Sequence, residues 1–187
     1  NNDGTTLRDA LQKEKQTRVI CQGYWQDARY ADSVAAELAA DLKMHGDRYP
    51  VAGNGADCIV HVRRHDYGHH GLLPFAYYQA ALAHCGHPRF HVVTDEPNYC
   101  DYVFKRLPGY AGVIKGSTAD PWSDFFALSR SRLQIIANSS FSWWSAWLGR
   151  ATGSTSSVVA PVEWSLMDGA NPCPVDWQRI DTPLTRP

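Results

Sequence analysis

From Asp32 onward the apolar positions fall at helical spacing. Val34, Leu38 and Leu42 repeat every four residues with alanines between them, Asp32 or Ser33 can cap the start, and Gly46 can end the run. Residues 47–56 (DRYPVAGNGA) crowd turn formers together and read as a loop. Beyond them, short apolar runs alternate with helical stretches. Cys58–Val62 reads as a buried strand, and Pro74–Cys85 as a helix with proline in its first turn and Gly86 just past its end. Arg89–Val93 is a second strand and Pro97–Leu107 a second helix; Gly112–Lys115 is a third strand, and Pro121–Ser131 a helix behind Asp120 as cap. Gln134–Ala137 is a fourth strand, Ser140–Leu148 a tryptophan-rich helix closing at Gly149, and Val158–Ala160 a fifth strand. No internal repeat interrupts this order. Such alternation predicts an α/β fold, a Rossmann-like parallel sheet with helices on both faces. Residues 1–16 read as a polar lead-in, 17–56 as a helical and loop segment, and 57–187 as the sheet domain.

Composition narrows the function classes. The chain has 187 residues, 44% hydrophobic and 20% charged, enough for one domain with a real core. Eighteen basic against nineteen acidic side chains give a formal net charge of -1. Without a single-sign field, nucleic acid and anionic membrane are disfavoured as partners. The five cysteines form no C-x-x-C pair, so neither a zinc ribbon nor a disulfide framework is expected, and a reducing compartment (cytoplasm or organelle matrix) is favoured. No apolar run approaches the roughly 18 residues of a spanning helix. The opening Asn-Asn-Asp-Gly has neither a starting Met nor a signal-peptide layout, so the expectation is a soluble chain that is processed or truncated from something longer.

In an open parallel sheet, ligands sit beyond the carboxyl ends of the strands. Those positions fall in His61–Tyr67, Thr94–Glu96, Asn138–Phe141 and Pro161–Trp164, where polar residues are concentrated. Arg63 and Arg64 suit a phosphate or pyrophosphate, because a guanidinium fork pairs phosphate oxygens bidentately; a surface salt-bridge cluster is the alternative. Asn138-Ser139-Ser140 feeds a helix whose first-turn amides and dipole favour an anion, or the serines serve only as a cap and the tryptophans only as core. Asp95, in Thr94-Asp95-Glu96-Pro97, could accept two N–H bonds from a purine or cap the next helix. His61, His65, Asp66, His69 and His70 invite a metal reading, but two arginines in the same loop would repel a cation. Gly53-Asn54-Gly55 precedes its strand and lacks the third glycine of a dinucleotide fingerprint. No G-x-S-x-G, Walker lysine motif or H-E-x-x-H occurs.

Taken in order, five segments resemble the α-1,2-fucosyltransferases of glycosyltransferase family 11. They are His61-Val62-Arg63-Arg64-x-Asp66-Tyr67, Tyr77-Tyr78-Gln79, Ile135-Ile136-Ala137-Asn138-Ser139-Ser140-Phe141-Ser142-Trp143-Trp144-x-Ala146-Trp147-Leu148, Ala160-Pro161-x-x-Trp164, and Gly23-Tyr24-Trp25-Gln26. Asp124 also falls where that family has a similar residue. The resemblance implies the donor-binding half of a GT-B enzyme that transfers fucose from GDP-fucose to a sugar hydroxyl with inversion, with no metal or other cofactor. It places Arg63 first and Arg64 second on the donor pyrophosphate, Asp95 on guanine, Ser139, Ser140 and the Phe141 amide around the β-phosphate, Asn138 among the donor-binding residues, and His61 along the nucleotide site. Asp66 is the nearest carboxylate for a general base on the glycan acceptor.

Three departures stand beside the match. The family's Gly-Gly-Leu-Gly-Asn-Gln segment is lacking, and His65 and Ser145 stand where the family usually has Gly. They motivate a second expectation, an inactive fucosyltransferase-like domain kept as an accessory subunit, with a protein partner or a missing N-terminal domain completing the fold. A metal-dependent hydrolase on the histidine loop is a third.

Overall fold

A computed structural model describes residues 23–46, 48–49, 57–114, 120–167 and 171–186. The lead-in at 1–16, the glycines of the 47–56 loop, Cys21 and Lys115 lie outside these residues. The elements in chain order are α1 (Ala28–Ala31), a 3-10 turn (Asp32–Val34), α2 (Ala35–Gly46), β1 (Cys58–Val62), α3 (Phe75–His84), β2 (Phe90–Thr94), α4 (Pro97–Phe104) and β3 (Tyr110–Val113). They continue with α5 (Trp122–Ser129), β4 (Leu133–Ile135), α6 (Ser140–Ala151), β5 (Ser157–Pro161) and β6 (Gln178–Ile180).

The six strands form one sheet in the order β3-β2-β1-β4-β5-β6, and every neighbouring pair is parallel. β1 is central and buried along its whole length, as its Cys-Ile-Val-His-Val run demands of a strand covered on both faces. Its even side lies under α3 and α4: Cys58, Val60 and Val62 join Tyr77, Tyr78, Leu82, Cys100 and Phe104 in one core. On the other face Ile59 meets Val93, Ala127 and Leu128, while α6 packs with α1 and α2 through Trp143, Ala146, Trp147 and Leu148.

The structure departs from the sequence reading in four places. The first helical segment starts at Ala28, because the Asp27 carboxylate accepts the Arg29 N–H at 2.9 Å and takes the cap role expected of Asp32 or Ser33. β3 lies two residues earlier than expected. Helix α6 does not close at Gly149 but runs through it to Ala151. That glycine is there for close approach: a Cβ would stand 2.6 Å from the Ser129 carbonyl and against the Thr155 hydroxyl. Finally, β6 is a strand the pattern did not reveal. Its Gln-Arg-Ile is polar and half exposed, and only pairing with β5 makes it a strand. Asp120 does serve as expected, its carboxylate accepting the Trp122 N–H at 3.1 Å.

Candidate functional site

Strand order decides where a ligand can sit. From β1 the chain winds outward to β2 and β3, then returns to place β4 on the other side of β1. The crevice at this reversal opens beyond the carboxyl ends of β1 and β4. The two segments leaving those ends are Arg63–Tyr67 and Ile136–Ser139, the same segments the sequence singled out.

The arginine loop is wired tightly. Parallel register pairs Val62 with Thr94, so the next residues, Arg63 and Asp95, leave the sheet side by side. Asp95 accepts the Arg64 N–H at 3.1 Å and the His65 N–H at 3.0 Å, one on each carboxylate oxygen. Its Oδ2 also stands 3.3 Å from Arg63 Nε. The Nη2 of Arg63 pairs with Asp66 Oδ1 at 2.7 Å, and its guanidinium lies 5.7 Å from the Tyr67 ring centroid. The Arg64 guanidinium stacks on Tyr99 of α4 at 4.2 Å and sits 3.5 Å from Glu96. The His65 side chain is exposed, so its bulk does not crowd the arginines.

Across the crevice, α6 starts at Ser140 behind Ser139, whose extended backbone puts it in the cap position while its side chain makes no cap bond. Burial pushes the Tyr67 phenol up in pKa. Phe141 packs on His61 at 5.6 Å and on Phe125 at 5.5 Å. Asn138 is buried, and its Nδ2 donates to the carbonyls of Gly71 and Trp164, both at 3.0 Å. One amide therefore ties together the loops after β1, β4 and β5. Tyr77 supports the turn from beneath by donating to the Ile136 carbonyl at 2.8 Å, which gives the Tyr77-Tyr78-Gln79 segment a physical role.

Three indoles of α6 act as ties to distant segments. Trp143 donates to the Pro172 carbonyl, Trp144 to the Tyr24 carbonyl and Trp147 to the Asp32 carboxylate, at 3.1, 3.0 and 3.2 Å. The packing that holds the tryptophans also fixes the turn from which the first-turn amides of α6 emerge. Ser145 is fully buried, its hydroxyl donating to the Ser142 carbonyl at 2.9 Å and lying 3.3 Å from Gln134 Oε1.

Unpaired polar atoms gather on this edge. Arg63 Nε, Arg64 Nε, His61 Nδ1 and Asn138 Oδ1 are buried without a hydrogen bond, the two Nε atoms keeping only their ion pairs to Asp95 and Glu96. Both carbonyls facing the Asn138 amide require its nitrogen there, so the orphaned atom is necessarily the oxygen. Native interiors leave few such groups, and a cluster of them asks for a ligand or ordered solvent. Burial first, and the Arg63 charge second, pull the His61 imidazole down to about 3, so it is neutral at ordinary pH.

Asp124, in the first turn of α5, is a site candidate that belongs to none of the strand-end motifs. Its Oδ1 is buried without a partner, and burial first, with Asp120 second, pushes its carboxyl from 3.8 up to about 6. An acidic residue one turn into a helix looks like an ordinary dipole partner in sequence. The folded state holds this proton between about pH 4 and 6 while the unfolded chain has released it, so the group costs stability as pH rises through that window. Asp124→Asn is therefore expected to raise stability above pH 6 by roughly 1 kcal/mol after solvent screening, and to change nothing below pH 4. Urea melts of both proteins at pH 4 and pH 7.5 read this out; an equal difference at both pH values would contradict it.

The histidine loop does not gather ligands for a metal. Among the described residues, no three His, Cys, Asp or Glu side chains converge. His61 is buried against Phe141, whereas His69 and His70 pack against each other as tilted rings with centroids 4.2 Å apart. Also among the described residues, no helix is long and apolar enough to cross a membrane.

No family model matches the chain. Two curated proteins of Escherichia coli are similar to it. The O-antigen biosynthesis glycosyltransferase WbnK is 29% identical over 163 residues, covering 75% of this chain and 53% of that protein. An alpha-1,2-colitosyltransferase is 29% identical over 187 residues, covering 85% of this chain and 61% of that protein. The chain is a distant homologue of these glycosyltransferases. The resemblance carried by the arginine and Asn-Ser-Ser motifs is borne out at that level. The chain spans a little over half the length of these relatives. Among solved structures, the crystal structure of POFUT1 in complex with GDP aligns with a TM-score of 0.41 and 12% identity, over 67% of this chain and 45% of that one.

Proposed function

We propose that the crevice between β1 and β4 binds the pyrophosphate of a guanosine-diphosphate sugar, and that the chain is the donor-binding part of a GT-B glycosyltransferase of the α-1,2-fucosyltransferase type. The observation that carries this reading is the pair of guanidinium groups, Arg63 and Arg64, at the strand-order reversal, whose Nε atoms are buried, ion-paired to Asp95 and Glu96 at 3.3 and 3.5 Å, and outside hydrogen-bonding geometry with them. The uncapped first turn of α6 lies across the same crevice. Guanidinium forks and free helix amides match a pyrophosphate in charge and geometry.

The chemistry needs no Lewis acid in this reading. As the bond from fucose to the β-phosphate breaks, charge builds on the phosphate oxygens. Arg63, Arg64 and the amides of Ser140 and Phe141 stabilise that charge most in the transition state. Ser139 orients the turn, Asn138 holds the three loops in place, and His61 lines the nucleotide site as a neutral ring. Asp66 is the proposed base on the acceptor hydroxyl. It is exposed and pairs with Arg63, and a bound pyrophosphate taking over the Arg63 fork would free it.

A second reading, the accessory subunit, is favoured by one observation: three carboxylates, Asp66, Asp95 and Glu96, already face the two guanidinium groups. The two readings separate in a calorimetric titration of the purified chain with GDP in metal-free buffer. Saturable one-to-one binding at roughly micromolar or tighter affinity is expected. A folded chain that takes up no GDP would favour the accessory role.

A further inference from the structure

The geometry points to Asp95 as a positioning residue that clamps the arginine loop, rather than a reader of the nucleotide base. One carboxylate at the end of β2 holds three consecutive residues of the loop after β1. Oδ1 accepts the Arg64 N–H, Oδ2 accepts the His65 N–H, and Oδ2 stands beside Arg63 Nε. The side chain is only 16% exposed. Parallel register sets it there, because Asp95 leaves β2 directly beside Arg63 leaving β1.

Reading guanine takes a carboxylate with both oxygens open and coplanar toward two N–H donors of the base. Both Asp95 oxygens already accept backbone N–H groups, at 3.1 and 3.0 Å, and Oδ2 also faces Arg63 Nε at 3.3 Å, so the edge a base would pair with is shared with the loop. The Arg64 N–H is half-buried and needs an acceptor of its own, so turning Asp95 toward a base would leave it unpaired. The clamp has a consequence for the arginines. It fixes the φ and ψ angles from which both guanidinium groups start, and so presets the fork that a pyrophosphate meets.

The inference rests on the proposed pyrophosphate site for its binding arm, and a second arm is independent of it. In the ligand-free chain, amide hydrogen exchange at Arg64 and His65 is expected to speed up at least tenfold in Asp95→Ala, with the melting temperature of the core little changed. Unchanged exchange at both amides would overturn the clamp, whatever the chain binds. In the binding arm, GDP, ADP and inorganic pyrophosphate are titrated against wild type, Asp95→Asn and Asp95→Ala. The clamp predicts that all three ligands weaken by the same factor, tenfold or more for Ala and less for Asn, which keeps one acceptor oxygen.

The preference for GDP over ADP should be the same in every variant. In an Arg63→Ala background, Asp95→Ala should add less than threefold, because its effect travels largely through that side chain. A base reader gives the opposite pattern: pyrophosphate binding unchanged and the GDP preference lost. That result would overturn the inference while leaving the donor site standing. If wild type binds none of the three ligands, the donor-site reading falls and the exchange experiment alone decides the clamp.

Discussion

Arg63→Ala is expected to weaken GDP binding about 100-fold, the largest single-residue loss at the site. A guanidinium donating two charge-assisted hydrogen bonds to a phosphate contributes about 3 kcal/mol net, which is about two decades in affinity. The fold should survive the change. The Arg63 side chain is one-third exposed, its partner Asp66 is solvated, and Asp95 keeps both backbone donors when the guanidinium goes. Calorimetry on the variant, with thermal melting as the folding control, is the direct measurement. A loss below threefold would remove Arg63 from phosphate binding. Arg64→Ala should cost less, since that side chain is stacked on Tyr99 and is less free to follow a ligand. Where turnover can be assayed, Arg63→Ala should lower kcat as well as raise KM, because charge on the leaving pyrophosphate is greatest in the transition state.

Trp143→Ala is the change expected to cost most stability. Trp143 is fully buried, its ring centroid lies 5.0 Å from that of Trp144 and 5.9 Å from that of Trp177, and its N–H is the tie to Pro172. Removing an indole from such a site costs about 3–5 kcal/mol in lost contacts and cavity. A typical domain has only about 5–15 kcal/mol in total. Urea denaturation should therefore show a midpoint lowered by a third or more, with the slope unchanged. Trp143→Phe separates the two contributions: it refills most of the volume and loses only the hydrogen bond, about 1 kcal/mol. A Trp143→Ala loss under 1 kcal/mol would contradict the packing described here. The effect should reach the site, because the turn at Asn138–Ser140 is held in place by the helix that carries Trp143.

Much of this was legible before any coordinates. Strand β1 was readable residue for residue, since a five-residue apolar run followed by charge has few other structures open to it. The arginine loop and the Asn-Ser-Ser turn were placed at strand ends by the same alternation. Other features were hidden for definite reasons. The strand at Gln178–Ile180 carries no apolar period of its own. Gly149 looks like a helix end in sequence, and only the Ser129 carbonyl packed against it shows that the glycine permits contact inside the helix.

Aspartates mark the boundary most sharply. From sequence, Asp95 and Asp124 are two acidic residues near helix starts, the first open to a cap or a purine reading and the second marked only by the family resemblance. The residues by themselves determined the α/β alternation and the polar segments at the sheet's carboxyl edge, because periodicity and local hydrogen bonding are short-range properties. Only the tertiary structure decided that Asp95 is filled by the Arg64 and His65 amides while Asp124 keeps a buried oxygen unpaired. A carboxylate's role depends on which donors reach its lone pairs and how much water remains. Those partners come from strands and helices that are distant in the chain and meet only when the sheet closes.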